Sequence, residues 1–183
     1  MYEISFATGM IAVTLGWIVF RAAAYRKTRQ LDWRCELKQL FFLINLLVIV
    51  RFTFYPFSKV DGQVQPLLFE VNKVFPLRVN LVPLVNIFQF ETKNDLILNL
   101  TGNFAMFIPT GIMVPLIYRK FNTFGKVTLF GFLLSLAIEI LQLPFAVRAS
   151  DVDDLILNTA GCMVGYGLYA LVRWIVSQIK KHL

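Results

Sequence analysis

Glu139 and Gln142 sit three residues apart inside an apolar run, and the chain then reads Asp151-Val-Asp153-Asp154 ahead of a further apolar run that carries Asn158. Arg148 lies between the two groups, Arg51 interrupts the end of an earlier apolar run, and Asn99 and Asn103 stand four apart in another. An ionisable side chain inside lipid costs about 2.5–3.5 kcal/mol on insertion scales, so each is a candidate for function by default. Three kinds of chemistry fit. Arginines grip a phosphate or carboxylate through paired hydrogen bonds. Clustered carboxylates hold a hard cation through oxygen, although the D-x-D-D spacing alone assigns no metal. Glu139 or Asp154 has the type needed for a general acid or base. No H-E-x-x-H, G-x-S-x-G or Gly-rich phosphate loop accompanies them, and the single histidine, His182, is next to the C-terminus. A binding role is expected ahead of a catalytic one, with no cofactor.

Structural roles compete for the same residues. Asp151, Asp153 and Asp154 open a helical pattern behind Ser150, where carboxylates favour the helix dipole and Ser150 with Asp153 resembles a capping box. Arg51 reads either as a side chain snorkelling to the headgroups or as the partner of Glu139. Asn99, Asn103 and Gln142 read equally well as hydrogen-bond glue between helices.

The elements that carry these residues are set by composition. Of 183 residues 57% are hydrophobic and 16% charged, with a mean hydropathy of +0.66. A soluble domain carries charge on about a quarter of its residues. Five apolar runs are long enough to span a bilayer, at about residues 4–25, 38–57, 96–118, 127–147 and 155–176. They predict an all-α polytopic membrane bundle as a single transmembrane domain over residues 1–183. The long segment at 58–95 holds apolar clusters too short to cross, expected as interfacial helices or re-entrant pieces. The first run has its basic residues behind it, the reverse of a cleaved signal peptide, and is expected to be retained.

Residues 21–38, 119–126 and the tail from Arg173 carry twelve basic residues against two acidic ones. The alternate segments carry five basic against eight acidic. The positive-inside rule then places the N-terminus outside and the C-terminus inside. The net charge of +7 is accounted for by those loops and points to membrane lipids, not nucleic acid, as partners. Cys35 and Cys162 fall in different environments and are expected as free thiols.

In this topology Arg51, Asn99, Asn103, Glu139, Gln142, Arg148, Asp151, Asp153, Asp154 and Asn158 share the outer half of the membrane or its outer face. Glu139 is placed roughly 12 Å below the outer end of its span, counted from Val147. Ser135, Glu139 and Gln142 follow i, i+4, i+7 on one side of the fourth span. Asp151, Asp154, Asn158, Gly161 and Gly165 form one stripe on the fifth, where Gly161-x-x-x-Gly165 lets another helix approach. An outward polar cleft lined by these ligand-binding candidates is expected.

Five motifs in fixed order resemble the VanZ-like family of membrane proteins. They are Arg51-Phe-Thr53-Phe-Tyr-Pro56, Asn80-Leu-Val-Pro83, Asn99-Leu-Thr-Gly102-Asn103 with Phe107-Ile-Pro109-Thr-Gly111, Glu139-Ile-Leu-Gln142, and Arg148-Ala-Ser-Asp151-Val-Asp153-Asp154 continuing through Asn158 and Gly161. Leu84 departs from the pattern, standing where an aromatic is expected. The resemblance covers about residues 45–176 and leaves the first span outside. It implies a multi-pass protein of the bacterial plasma membrane, some relatives of which lower sensitivity to lipoglycopeptide antibiotics such as teicoplanin. The implied partner is the drug or a lipid-linked cell-wall precursor. The competing expectation is a membrane enzyme acting on a lipid phosphate or lipid-linked sugar, with Arg51 and Arg148 holding the anion beside Glu139 or Asp154.

Overall fold

The structure is a computed structural model and describes residues 2–29, 32–55, 59–60, 62–70, 79–83, 93–145 and 150–182. Among them five helices are long and apolar enough to cross a membrane: α1 (Phe6–Thr28), α2 (Trp33–Phe54), α3 (Lys93–Ile117), α4 (Phe124–Gln142) and α5 (Val152–His182). Large apolar side chains point outward along all five, among them Leu15, Phe41, Leu98, Leu141 and Val172, each more than half exposed. That is the pattern expected where lipid is the solvent. Among the described residues six short strands accompany the helices: β1 (Tyr2–Ile4), β2 (Lys59–Val60), β3 (Gln63–Val64), β4 (Leu67–Phe69), β5 (Val79–Asn80) and β6 (Ser150–Asp151).

Among the helix ends that differ from the hydropathy boundaries, two have a clear local reason. α2 starts earlier than residue 38 because Asp32 caps it, accepting from the Arg34 N–H at 2.9 Å. The Arg21–Glu36 ion pair then ties that first turn to α1. α4 stops at Gln142 instead of 147, because Pro144 disfavours helix in the residue before it. The chain leaves through turn bonds from Leu143 N–H to the Ile140 carbonyl (3.3 Å) and from Phe145 N–H to the Gln142 carbonyl (3.0 Å). Glu139 therefore lies in the last turn of α4, and the depth of roughly 12 Å counted from Val147 does not hold.

The chain packs as two compact units. The first comprises the residues up to Asn80 together with Ile138–Ser150. In it Ser5 caps α1, accepting from the Thr8 N–H at 3.1 Å. Arg29, at φ 50°, closes the helix through its N–H to the Tyr25 carbonyl at 2.7 Å. Tyr55, 1% exposed at the end of α2, donates its hydroxyl to the Ser5 carbonyl (3.1 Å) and meets the Phe6 ring edge-on. Gly9 permits that approach, since a Cβ there would overlap the Tyr55 hydroxyl.

Strand β1 pairs antiparallel with β4, Tyr2 opposite Phe69 and Ile4 opposite Leu67. Phe69 also bridges to Phe145, and the Glu70 N–H reaches the Pro144 carbonyl at 2.9 Å. The apolar cluster at Leu67–Phe69 is thus a strand and not an interfacial helix. Three residues are too few to nucleate a helix, and β1 offers the ladder partners its backbone needs. The other expected cluster is Leu81–Phe90, of which residues 84–90 lie outside the described residues.

The second unit comprises Leu81–Ala137 and Asp151–Leu183. Here α3 and α5 come into backbone contact through glycine. A Cβ on Gly161 would overlap the Phe104 carbonyl oxygen, one on Gly165 that of Ile108, and one on Gly111 that of Cys162. Gly131 of α4 leaves room for the Cys162 side chain. α3 runs unbroken through Pro109 and Pro115, and its buried face follows helical spacing through Asn103, Met106, Phe107, Thr110 and Val114. Both cysteines are free thiols, as their placement implied.

Candidate functional site

In the first unit the candidates gather where α2 and α4 end. Glu139 and Gln142 are 5% and 4% exposed. Because Leu143 bonds back to Ile140, the Glu139 main-chain carbonyl is left without its helical donor, and the Ser150 hydroxyl fills that place at 2.5 Å. Gln142 Nε2 donates to the Thr53 carbonyl at 2.6 Å, one of the carbonyls orphaned by the end of α2. A carbonyl only accepts, so this bond fixes which way the amide points. Gln142 Oε1 is then buried with no hydrogen-bond partner.

Arg51 donates to the Tyr55 carbonyl at 3.1 Å, and its guanidinium lies over the Phe6 and Phe52 rings at 5.7 and 5.5 Å. The terminal carbonyl and the rings lie within reach of Arg51 on its own helix end and the neighbouring one.

In the second unit Asn103, buried, donates through Nδ2 to Asp154 Oδ1. Asp151 is the N-cap of α5, its Oδ1 accepting from the Asp153 N–H at 3.0 Å. This replaces the expected Ser150/Asp153 capping box: the helix starts later, and Ser150 is engaged by the Glu139 carbonyl instead. Asp153 and Asp154 sit in the first turn, where the dipole favours them. Asn158, 1% exposed, donates to the Ser135 hydroxyl at 2.9 Å, and its Oδ1 is buried with no partner. Asn99, a turn before Asn103 on α3, is exposed. Arg148 lies outside the described residues. Among the described residues no group of three or more His, Cys, Asp or Glu is arranged to hold a metal ion.

Sequence reasoning missed several polar partners. Gln39 and Asn45 on α2 and Thr110 on α3 are buried polar residues that it did not single out, and the partnering of Ser135 with Asn158 and of Ser150 with the Glu139 carbonyl was not foreseen. The available signal was their polarity within apolar runs.

Comparison with known proteins decides the family. The pattern described as VanZ/LLP1 matches residues 42–173. The chain belongs to this family. Protein VanZ of Enterococcus faecium is 32% identical over 114 residues, which cover 58% of this chain and 70% of that protein. No solved structure matches. The VanZ/LLP1 region starts in α2 and ends in α5, so it takes in every candidate residue and leaves out α1, as the motifs implied. With five helices fit to span, this VanZ/LLP1 chain is a multi-pass bacterial membrane protein.

Proposed function

We propose that this VanZ/LLP1 protein acts at the outer leaflet of the plasma membrane. There it holds a lipoglycopeptide antibiotic or a lipid-linked cell-wall precursor and so lowers sensitivity to drugs such as teicoplanin. The observation that carries the reading is Gln142 Oε1, a buried acceptor without a partner in the same helical turn as the buried Glu139 carboxyl. Leaving such an acceptor unpaired costs about 1–3 kcal/mol, and a ligand donor removes that cost. Sugar hydroxyls, peptide N–H groups and ammonium groups, which both kinds of ligand carry, are donors of this type. Asn158 Oδ1 and the first-turn carboxylates of α5 offer acceptors of the same chemistry in the second unit.

Expression in a susceptible Gram-positive host tests the reading. The inhibitory concentration of teicoplanin is expected to rise several-fold while that of vancomycin stays put. No change for either drug, with the protein present in the membrane, sinks the resistance reading.

The proposal includes the N-out, C-in orientation that the basic loops favour. Cys35 is partly exposed near the start of α2, whereas Cys162 is fully buried. A membrane-impermeant maleimide is expected to spare intact protoplasts and to label Cys35 in inside-out vesicles. Labelling of Cys35 in intact protoplasts reverses the orientation.

A further inference from the structure

The far part of α5 lines a groove inside the second unit. α5 has 31 residues, a length of about 46 Å at 1.5 Å per residue. The hydrocarbon core of a bilayer is about 30 Å thick, or about 20 residues of helix. With Asp154 in one headgroup layer, the opposite hydrocarbon boundary falls at Arg173 and Trp174.

A groove of about 370 Å³ lies at that level, lined by Asn122, Tyr166, Tyr169, Arg173, Trp174 and Ser177. Its wall is fixed by hydrogen bonds. The Tyr169 hydroxyl donates to Asn122 Oδ1 at 3.2 Å and the Tyr166 hydroxyl to the Asn122 carbonyl at 3.5 Å. Phe124 meets the Tyr166 ring edge-on with centroids 5.9 Å apart. The Asn122 Nδ2 hydrogens remain to donate, Arg173 is exposed, and Trp174 is 60% exposed beside it. Tyr166, Tyr169, Arg173, Ser177 and Lys180 follow i, i+3, i+7, i+11, i+14 along one face of α5.

The surrounding charge has one sign. Arg119, Lys120 and Lys126 flank Asn122, with the Lys126 ammonium folded onto the Lys120 carbonyl at 3.1 Å. Lys180 and Lys181 follow on α5. No Asp or Glu occurs in residues 96–138 or after Asp154. An arginine fork and an amide donor matched to phosphate, an exposed indole and two phenols at the interface, and a basic surround all point to one ligand chemistry.

We propose that this groove binds the phosphate headgroup of an anionic phospholipid, with Arg173 and Asn122 donating to the phosphate and Trp174 against the glycerol region. The site is independent of the ligand proposed at the end of α4.

The test is native mass spectrometry of the full chain in detergent with equal phosphatidylglycerol and phosphatidylcholine. Preferential retention of phosphatidylglycerol is expected, and Arg173→Gln is expected to cut the preference about fivefold, the effect of losing one basic group near a lipid phosphate. Raising the salt concentration is expected to weaken the wild-type preference, a readout that needs no variant. Equal retention of the two lipids by the wild type, a preference unchanged in Arg173→Gln, or one unaffected by salt overturns the proposal. Displacement of the lipid by inorganic phosphate at millimolar concentration assigns the groove to a free anion and also overturns it.

Discussion

Gly161→Leu is expected to stop α3 and α5 from packing and to cost about 3 kcal/mol, the upper end of the usual range for overpacking. A Cβ at this position already overlaps the Phe104 carbonyl oxygen, and a main-chain oxygen held in a helix cannot swing aside as a side-chain tip can. Gly167→Leu is the matched control on the same helix. Nothing lies within 4 Å of a Cβ there, so its stability is expected within about 0.5 kcal/mol of wild type. Unfolding of both variants in one detergent measures the difference. Equal stability would mean that glycine does not set the α3–α5 contact.

Glu139→Gln is expected to remove protection against teicoplanin, by about tenfold or more in ligand affinity, while the protein still reaches the membrane. A hydrogen bond to a charged group contributes about 1.5–3 kcal/mol, and each 1.4 kcal/mol is a factor of ten. Glutamine keeps nearly the same volume, and Ser150 is held by the main-chain carbonyl of residue 139, not by its carboxyl. Ser150→Ala is the converse variant. It loses that bond and about 1 kcal/mol of stability, yet is expected to protect as well as wild type at matched protein levels. A Glu139→Gln protein that protects fully denies the carboxylate a role. A loss that follows the amount of protein makes Glu139 structural.

Much of this fold was legible in the sequence, because crossing a bilayer demands long apolar helices and leaves few alternatives. The inward stripe of α5 was legible for a similar reason. Asn158, Gly161 and Gly165 share a face by helical geometry alone, and all three are buried. Spacing does not choose between competing partners. Asp151, not Ser150, caps α5, because the Glu139 carbonyl takes the Ser150 hydroxyl. Arg51 lies against a carbonyl at its own helix end and two rings, contacts that periodicity does not reveal. The pairing of β1 with β4 left no signal at all, since three residues at Tyr2–Ile4 find partners more than sixty positions away. Helix ends were hardest to place. Hydropathy continues past Gln142, but Pro144 and the turn bonds around it end α4 there.

The central claim is that the polar turn at the end of α4 holds a ligand. Its most direct test is equilibrium binding of fluorescent teicoplanin, and separately of a lipid-linked cell-wall precursor, to the full chain in lipid nanodiscs. Saturable binding of at least one of the two to wild type, lost in Glu139→Gln and in Gln142→Leu, is the expected result. Wild type that saturates with neither ligand, or variants that bind as tightly as wild type, would contradict it.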